Sequence, residues 1–273
     1  MVEELKRAVE LARLGRERAV DLWGWTRTQA RAWIPPGEGE SQPRRDYEPI
    51  TPPMGGLGSN SWAVSPARSA AGRPLLANDP HLGVQMPGSF FAVHLRGPRT
   101  HVAGATIAGI PGVIIGHTED VAWGLTLAMV DDQDLFSVTL DDAGTRELID
   151  GRWQSLRTVT EDVSVRWQDA PVLLKVRFSR HGPLVRDQRG ETLALSWTGF
   201  QGPSMASAIL GMNRARSVEE AGAAWDAVLG PAMNLVAADS SGHILHRVVG
   251  WVPDRGLGAG RLPSPGSDSR WAW

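Results

Sequence analysis

The chain has 273 residues, of which 42% are hydrophobic, and its formal net charge is -2. This composition supports one large or two modest folded domains, and it gives no electrostatic reason to expect a nucleic acid or an anionic membrane as partner. The sequence has no cysteine, which excludes disulfides, thiolate catalysis and cysteine-ligated zinc. The first residues are charged throughout, so they predict no signal peptide. The sequence contains no run of about 18 apolar residues, so it predicts no transmembrane helix.

The N-terminal part of the chain divides into a helical and a linker-like segment. Residues 2–33 predict a helix, because apolar residues recur every three to four positions between charged ones. Pro35 and Pro36 end it, since proline cannot continue the hydrogen-bond ladder. The residues that follow are dense in proline, glycine and charge. We therefore predict three segments: a helical region over residues 1–34, a linker over 35–58 and a strand-rich domain over 59–273.

Short apolar runs separated by turn signals begin at Ser59, and this pattern is typical of strands. The predicted strands include SWAVS, PLLAN, SFFAVHL, VIIGH, VAWGLT, DLFSVTL, KVRFS and TLALSW. Ser217 and Glu220 indicate a capping box that opens a helix through about Leu229. NLVAAD and HILHRVVGW then predict a strand pair joined by a turn at residues 240–242. The pattern as a whole predicts an α+β fold.

A glycine-rich segment delivers a serine directly into the first of these strands, as GGLG followed by Ser59. One chemical use of this arrangement is self-cleavage, in which the serine hydroxyl attacks the carbonyl of Gly58. Glycine tolerates the strained backbone that such an approach requires. The freed α-amino group, with a reference pKa of about 7.7–8.0, can then act as a base for its own hydroxyl. The alternative interpretation is a flexible linker that enters a strand.

Three blocks of sequence carry a more specific signal. GSNSWAVSPARSAAGRPLLANDPHLG, which starts at Gly58, resembles the start of the β chain in the penicillin acylase family of N-terminal nucleophile (Ntn) hydrolases. GATIAGIPGVIIGHTEDVAWGLTLAMVDDQDLF, and then PAMNLVAADSSGHI with GWVPDR, are similar to later blocks of that family in the same order.

The resemblance implies a fold and an activity. The expected fold is the αββα sandwich of Ntn hydrolases, in part. The expected activity is that of an amidohydrolase that removes an acyl group from an N-acylated small molecule, either a β-lactam side-chain amide or an N-acyl-homoserine lactone. The family also suggests a periplasmic or secreted protein, and it needs no cofactor for catalysis.

The resemblance also implies roles for individual residues. Ser59 matches the nucleophile, with its own α-amino group as general base and Gly58–Ser59 as the cleaved bond. His81 matches a histidine that orients the nucleophile in the cephalosporin acylase and acyl-homoserine lactone acylase branches. Asn234 and the backbone N–H of Leu127 match the oxyanion-hole donors, and Arg255 matches an arginine that supports the site.

An acidic run, Asp131-Asp132-Gln133-Asp134, has a spacing that suits a hard cation. By the resemblance, Asp131, the carbonyl of Gln133 and Asp134 match ligands of a structural calcium ion. The run supplies only part of the six to eight oxygens that calcium takes, and one further ligand would come from the family's α chain. The alternative is an acidic loop that binds nothing.

Family precursors are longer than this chain, so we expect it to need α-chain and C-terminal β-chain segments as partners beside its small-molecule amide substrate. Two other function classes stay open. One is a catalytically silent fragment or a binding and assembly subunit. The other is a metallohydrolase built on Asp131, Asp134 and the histidines, although His243 and His246, three apart in a predicted strand, would point to opposite faces.

Overall fold

The computed structural model describes Arg7 and residues 58–83, 86–98, 100–186, 191–258 and 260–273. The predicted helix over residues 2–33 and the predicted linker over 35–58 lie outside the described residues, apart from Arg7 and Gly58. The remainder is rich in strands and has few helices, so the predicted α+β class is confirmed.

The strands, numbered in chain order, are β1 (Gly58–Val64), β2 (Leu75–His81), β3 (Phe91–Gly97), β4 (Thr100–Thr106), β5 (Ile115–His117), β6 (Val121–Leu127), β7 (Gln133–Ser137), β8 (Arg146–Ile149), β9 (Arg152–Ser155), β10 (Arg157–Val163), β11 (Val172–Ser179), β12 (Gly182–Arg186), β13 (Thr192–Trp197), β14 (Met233–Asp239), β15 (Ile244–Val249) and β16 (Ser264–Pro265). Two α-helices are α1 (Met205–Met212) and α2 (Val218–Ala223). Short 3-10 turns cover Pro66–Arg68, Thr198–Phe200 and Ser269–Trp271.

The described chain forms two compact units. The first unit takes residues 58–132 and 198–252, and the second takes residues 133–197 and 253–273. In the first unit, one antiparallel sheet has the strand order β15-β14-β6-β5-β4-β3, and β1 and β2 form a separate antiparallel hairpin. The hairpin contacts β6 and β14.

One face of the first unit's sheet is closed by α1 and α2. Strand residues such as Trp123 and Leu235 are 1% and 0% exposed, and they share a core cluster with Ile209 of α1 and Ala221 of α2. Each large apolar side chain removed from water in this way contributes about 1.5–3 kcal/mol. We call this side of the sheet the helix face.

The opposite side of the same sheet is covered by the β1–β2 hairpin, and we call it the hairpin face. Gly124 of β6 lies directly beneath the hairpin. A Cβ atom at this position would come within 2.6 Å of the Ser61 hydroxyl and 2.7 Å of the Asn78 Cβ. Only glycine lets the two layers approach so closely.

The predicted strands are confirmed, and so is the β14–β15 pair. Its connection turns at Ser240-Ser241-Gly242, where Gly242 takes a φ of +100° that other residues rarely adopt. At two helices the structure differs from what the sequence pattern predicts. The first correction concerns α1, which the sequence reading did not predict, although Ser204 caps it by accepting a hydrogen bond from Ala206 N–H.

The second correction concerns α2, which ends at Ala223 rather than near Leu229. Beyond that point the hydrogen bonds run to the third residue before, as from Trp225 N–H to the carbonyl of Gly222, so tight turns replace the α-helical ladder. Of the two contacts that define a capping box, the structure has the one made by the serine side chain. Ser217 accepts from Glu220 N–H at 3.2 Å, but the Glu220 carboxylate accepts from Arg216 N–H.

The second unit is built on a sheet of order β10-β11-β12-β13-β7-β16, in which only the short β16 runs parallel to its neighbour β7. A separate hairpin joins β8 and β9. Phe136 of β7 is buried and stacks on the ring of His181 with centroids 4.0 Å apart. Across the described residues of both units, no helix has the length and apolarity that crossing a membrane requires.

Candidate active site

Ser59 is the second residue of β1, and its side chain lies over its own preceding peptide bond. The hydroxyl donates a hydrogen bond of 2.7 Å to the carbonyl oxygen of Gly58. Ser59 and Ser61 share a face of the strand, because side chains alternate, and Ser61 faces Gly124 of the sheet. The Ser59 hydroxyl is therefore directed towards the hairpin face and is within reach of the bond that self-cleavage would break.

The hairpin runs alongside β6 in a direction that fixes which end of the sheet Ser59 occupies. Leu76, near the start of β2, lines a cleft together with Val121 at the start of β6. Asn78, two residues further, bonds to the backbone of Leu125. Continuing in this direction, Pro80, the partner of Ser59 across the hairpin, lies towards Leu127 at the end of β6.

Leu127 has a backbone N–H that none of the described strands of the sheet pairs with. Ala128 N–H donates to the carbonyl of Ala232 at 3.2 Å, so these two residues form a hydrogen-bonded pair. Because such pairs alternate in an antiparallel ladder, Leu127 N–H points away from β14. On that side the neighbouring strand is β5, which pairs only as far along β6 as Trp123 in the described part of the chain. This N–H is therefore free of the ladder, as an oxyanion donor must be.

Asn234 lies on β14 at the same end of the sheet. Its amide nitrogen donates to the hydroxyl of Thr126 and to the carbonyl of Leu127, both at 3.2 Å. Its amide oxygen accepts from the Nε2 of His246 at 3.3 Å. The two predicted oxyanion donors are therefore neighbours, and the histidine holds the amide with its N–H groups on the Leu127 side.

His81 stands opposite Gly58 in the hairpin, and its ring lies beside Gly58. Its Nε2 is 2.9 Å from an Asp79 carboxylate oxygen, and its Nδ1 is 3.9 Å from where a Cβ on Gly58 would lie. Strand alternation puts Asp79 and His81 on the face of the hairpin opposite to the Ser59 side chain. The predicted role of His81 in orienting the nucleophile stays a prediction, while its contact in the uncleaved chain is with Asp79.

Arg255 belongs to the second unit, where it pairs with Asp134 of β7. The guanidinium makes a bidentate contact, Nε to Oδ2 at 2.8 Å and Nη2 to Oδ1 at 3.1 Å, and both side chains are largely buried. The indole N–H of Trp273 also donates to Asp134. The predicted support of the site by Arg255 stays a prediction.

The predicted calcium ligands are spread over the chain's two units. Asp131 falls in the first unit, and Gln133 and Asp134 fall in the second. Asp134 is paired with Arg255 in this arrangement. Within the ranges that the structure describes, no group of three or more His, Cys, Asp or Glu side chains is placed to hold a metal ion. The calcium site stays a prediction that no described contact supports.

Several residues at this end of the sheet have contacts that the sequence pattern does not predict. Asn78 joins the hairpin to β6, Asp79 holds His81, and Thr126 and His246 hold Asn234. Asn78 and Asp79 stand inside the family-like block, and Asn78 is a polar residue at the end of the predicted strand PLLAN, which indicates a contact beyond its own strand. His246 had no such signal, because its contact depends on the pairing of β14 with β15.

A second open feature lies at the other end of β6 and β14. This cleft of about 550 Å³ is lined by Arg73, Pro74, Leu76, His117, Thr118, Glu119, Asp120, Val121, Ala122, Ala238, Asp239 and Ser240. Burial raises the pKa of Asp239, but hydrogen bonds from the backbone N–H groups of His243 and Val218 and from the His243 ring outweigh it, so the pKa lies below its ordinary value. None of the predicted catalytic residues lines this cleft.

Comparison with known proteins identifies the family to which this chain belongs. The family model described as penicillin amidase matches residues 1–273. The chain belongs to the penicillin amidase family.

Other members of the family supply more detail. Acyl-homoserine lactone acylase QuiP of Pseudomonas aeruginosa is 35% identical over 236 residues, which cover 81% of this chain and 28% of the relative. Penicillin acylase 2 proenzyme of Pseudomonas sp. strain SE83 is 32% identical over 222 residues, which cover 80% of this chain and 29% of the relative. The chain thus spans less than a third of the length of these curated relatives.

The fold of this penicillin amidase family member also matches a solved structure. The thermostable penicillin G acylase from Alcaligenes faecalis superposes with a TM-score of 0.63 and 22% sequence identity, over 76% of this chain and 38% of that one. The predicted Ntn-hydrolase fold is thereby confirmed.

Proposed function

We propose that the protein is an amidohydrolase that uses Ser59 as an N-terminal nucleophile, exposed by cleavage of the Gly58–Ser59 bond. The observation that carries this proposal is the 2.7 Å hydrogen bond from the Ser59 hydroxyl to the Gly58 carbonyl, at the end of the sheet where Leu127 and Asn234 lie. Family membership supports hydrolysis of an amide, since relatives are named as acylases.

The maturation step begins when the Ser59 oxygen attacks the carbonyl carbon of Gly58. A C–O bond forms and the C–N bond breaks, while the hydroxyl proton passes to the departing nitrogen. Water then hydrolyses the ester, which leaves a carboxylate on Gly58 and a free amine and hydroxyl on Ser59. His81 lies beside Gly58 on the face of the hairpin opposite to the Ser59 hydroxyl, so its predicted role in orienting the nucleophile stays a prediction.

Substrate hydrolysis repeats the same chemistry on an external amide. The freed α-amine takes the Ser59 hydroxyl proton, and the oxygen attacks the substrate carbonyl. Leu127 N–H and the Asn234 amide donate to the oxyanion that forms. Asn234 gives up one of its 3.2 Å bonds to Thr126 or Leu127 for this charge-assisted bond, which is stronger. The amine leaves with the proton, and water releases the acid from Ser59.

For the substrate class we favour an N-acyl-homoserine lactone over a β-lactam side-chain amide. QuiP of Pseudomonas aeruginosa covers slightly more of this chain, at slightly higher identity, than penicillin acylase 2 does. The histidine at position 81 matches both the cephalosporin acylase and the acyl-homoserine lactone acylase branches, so it does not separate the two substrate classes. A periplasmic or secreted location, an additional α-chain partner and a structural calcium ion stay predictions.

The test uses the full-length gene product with two probes, N-decanoyl-homoserine lactone and penicillin G. Release of the primary amine is followed with an amine-reactive fluorophore, and Ser59→Ala serves as the blank. We expect Ser59-dependent hydrolysis, faster with the lactone. Faster turnover of penicillin G would reverse the substrate assignment. No Ser59-dependent turnover of either probe would favour the catalytically silent alternative.

A further inference from the structure

Asn78 joins the strand that carries Ser59 to the strand that carries Leu127. Its amide nitrogen donates to the carbonyl of Asn60 at 2.9 Å and to the carbonyl of Leu125 at 3.2 Å. Its amide oxygen accepts from Leu125 N–H at 3.2 Å. The side chain is half-buried, and both of its N–H groups and its carbonyl are used. One carboxamide thus binds both backbone groups of one residue on the neighbouring layer.

These backbone groups need a partner that the sheet does not supply. Leu125, like Leu127, stands in a non-hydrogen-bonded pair with β14, so its N–H and carbonyl point to the other side. Strand β5 pairs with β6 only at Ala122 and Trp123 among the described residues. A buried backbone group without a partner is costly, and Asn78 replaces the missing strand.

The position of this clamp relates directly to the proposed chemistry. Asn60, whose carbonyl Asn78 binds, is the residue after the nucleophile. Leu125, whose N–H Asn78 binds, is two residues before the oxyanion donor and presents its N–H on the same side of β6. The clamp therefore fixes the nucleophile strand relative to Leu127 and leaves the Leu127 N–H open for substrate.

The hairpin and strand β6 are in close contact beneath the clamp. A Cβ on Gly124 would come within 2.7 Å of the Asn78 Cβ, so the hairpin rests on the backbone of β6 itself.

We propose that Asn78 is a positioning residue that holds Ser59 and the Leu127 N–H at the separation that amide hydrolysis requires. This inference rests on the proposed function. Because a misplacement of about 1 Å can lower turnover on the order of 10²-fold, loss of the clamp acts on kcat.

The chain contains a matched control for this arrangement. Asn213 makes the same paired contact with a backbone, in which its oxygen accepts from Val113 N–H at 2.7 Å and its nitrogen donates to the Val113 carbonyl at 2.8 Å. This second clamp is buried on the helix face, where its partner Val113 belongs to the same core cluster as Ile209. A purely structural role for Asn78 would make the two substitutions behave alike.

The experiment compares Asn78→Ala with Asn213→Ala in the full-length gene product. Competent nucleophiles are counted by titration with a serine-directed sulfonyl fluoride, and kcat and KM are measured with N-decanoyl-homoserine lactone. Melting temperatures are recorded in parallel. We expect Asn78→Ala to lower kcat per titrated site on the order of 10²-fold, with KM changed less than about threefold. Asn213→Ala should lower the melting temperature and leave kcat per titrated site unchanged.

Asn78→Ser is the second variant, because its hydroxyl keeps one uncharged polar group at this position and brings no negative charge next to the carbonyls of Asn60 and Leu125. It should lie between the wild type and Asn78→Ala in kcat, and it covers the case in which the alanine variant does not fold. Unchanged kcat in the folded Asn78 variants, or equal effects of the Asn78 and Asn213 substitutions, would overturn the inference. A wild-type protein without Ser59-dependent turnover would overturn the proposed function first, and this inference with it.

Discussion

The two faces of the first unit's sheet differ in what they contribute. The helix face is closed and apolar, with Ile209 and Leu235 both 0% exposed. The hairpin face is lined by small and polar groups. Gly124 lies there beneath the hairpin, and the side chains of Asn78 and Asn234 are held by hydrogen bonds of 2.9–3.2 Å. The difference teaches that stability and chemistry are separable in this unit. Substitutions on the helix face should change the free energy of unfolding, and those on the hairpin face should change turnover.

The largest effect on stability is expected from Ile209→Ala on the helix face. Removing a fully buried aliphatic side chain leaves a cavity, which lowers the free energy of unfolding by about 2–5 kcal/mol. Urea unfolding followed by circular dichroism measures this loss. The neighbouring Leu210 is 39% exposed, so Leu210→Ala is the control and should lower the free energy of unfolding by a smaller amount, on the order of 1 kcal/mol. If the two variants lose the same free energy of unfolding, the helix face does not provide the stability assigned to it.

On the hairpin face, Asn234→Ala should lower turnover by about 10²–10³-fold with little change in stability. The variant loses one oxyanion donor, which is worth roughly 2.7–4 kcal/mol of barrier. Steady-state kinetics with N-decanoyl-homoserine lactone measures the effect. Val248, the cross-strand partner of Asn234, is exposed, and Val248→Ala is the control. Wild-type turnover in purified Asn234→Ala would show that Asn234 is structural.

A smaller effect is expected from His246, which holds the Asn234 amide through one hydrogen bond of 3.3 Å. Such a bond contributes about 0.5–1.5 kcal/mol net, so His246→Leu should lower turnover roughly 2–12-fold. His246→Gln keeps a donor at this position and should recover most of the loss. If the glutamine variant is as slow as the leucine variant, the contact does not orient Asn234.

The smallest effect concerns Asp239, the carboxylate on the helix face, which accepts hydrogen bonds from Val218 and His243. Because its pKa is lower in the folded chain than in the unfolded one, it adds stability above about pH 4 that is lost as the pH falls through the folded pKa. Asp239→Asn should therefore flatten the fall in the free energy of unfolding below about pH 4. If the free energy of unfolding of Asp239→Asn falls below pH 4 as steeply as that of the wild type, this assignment is contradicted.

The sequence predicted most strands and the main candidate residues, for local reasons. Alternating apolar runs with turn residues between them define β14 and β15, and the family-like blocks point to Ser59, Leu127 and Asn234. Helix α1 was missed because its run, MASAILGM, is short and largely apolar, and periodicity does not separate such a run from a strand.

The role of Asn78 could not be predicted for a different reason. Strand alternation places Asn78 on the same face as Pro80, but it does not say which strand lies beneath. The partner, Leu125, is 47 residues away in sequence, and the contact exists because β5 stops short along β6. Contacts of this kind depend on the register between layers, which local pattern does not encode.

The central claim is that Ser59 cleaves its own peptide bond and then acts as the nucleophile. Intact-mass spectrometry of the full-length gene product tests it most directly, with Ser59→Ala and Ser61→Ala run beside the wild type. Ser61 lies two residues further along the same face of β1, so it controls for loss of any hydroxyl on that face. We expect fragments that meet at Gly58 and Ser59 in the wild type and in Ser61→Ala, and an uncut chain in Ser59→Ala. An active wild-type preparation in which that bond is intact would contradict it.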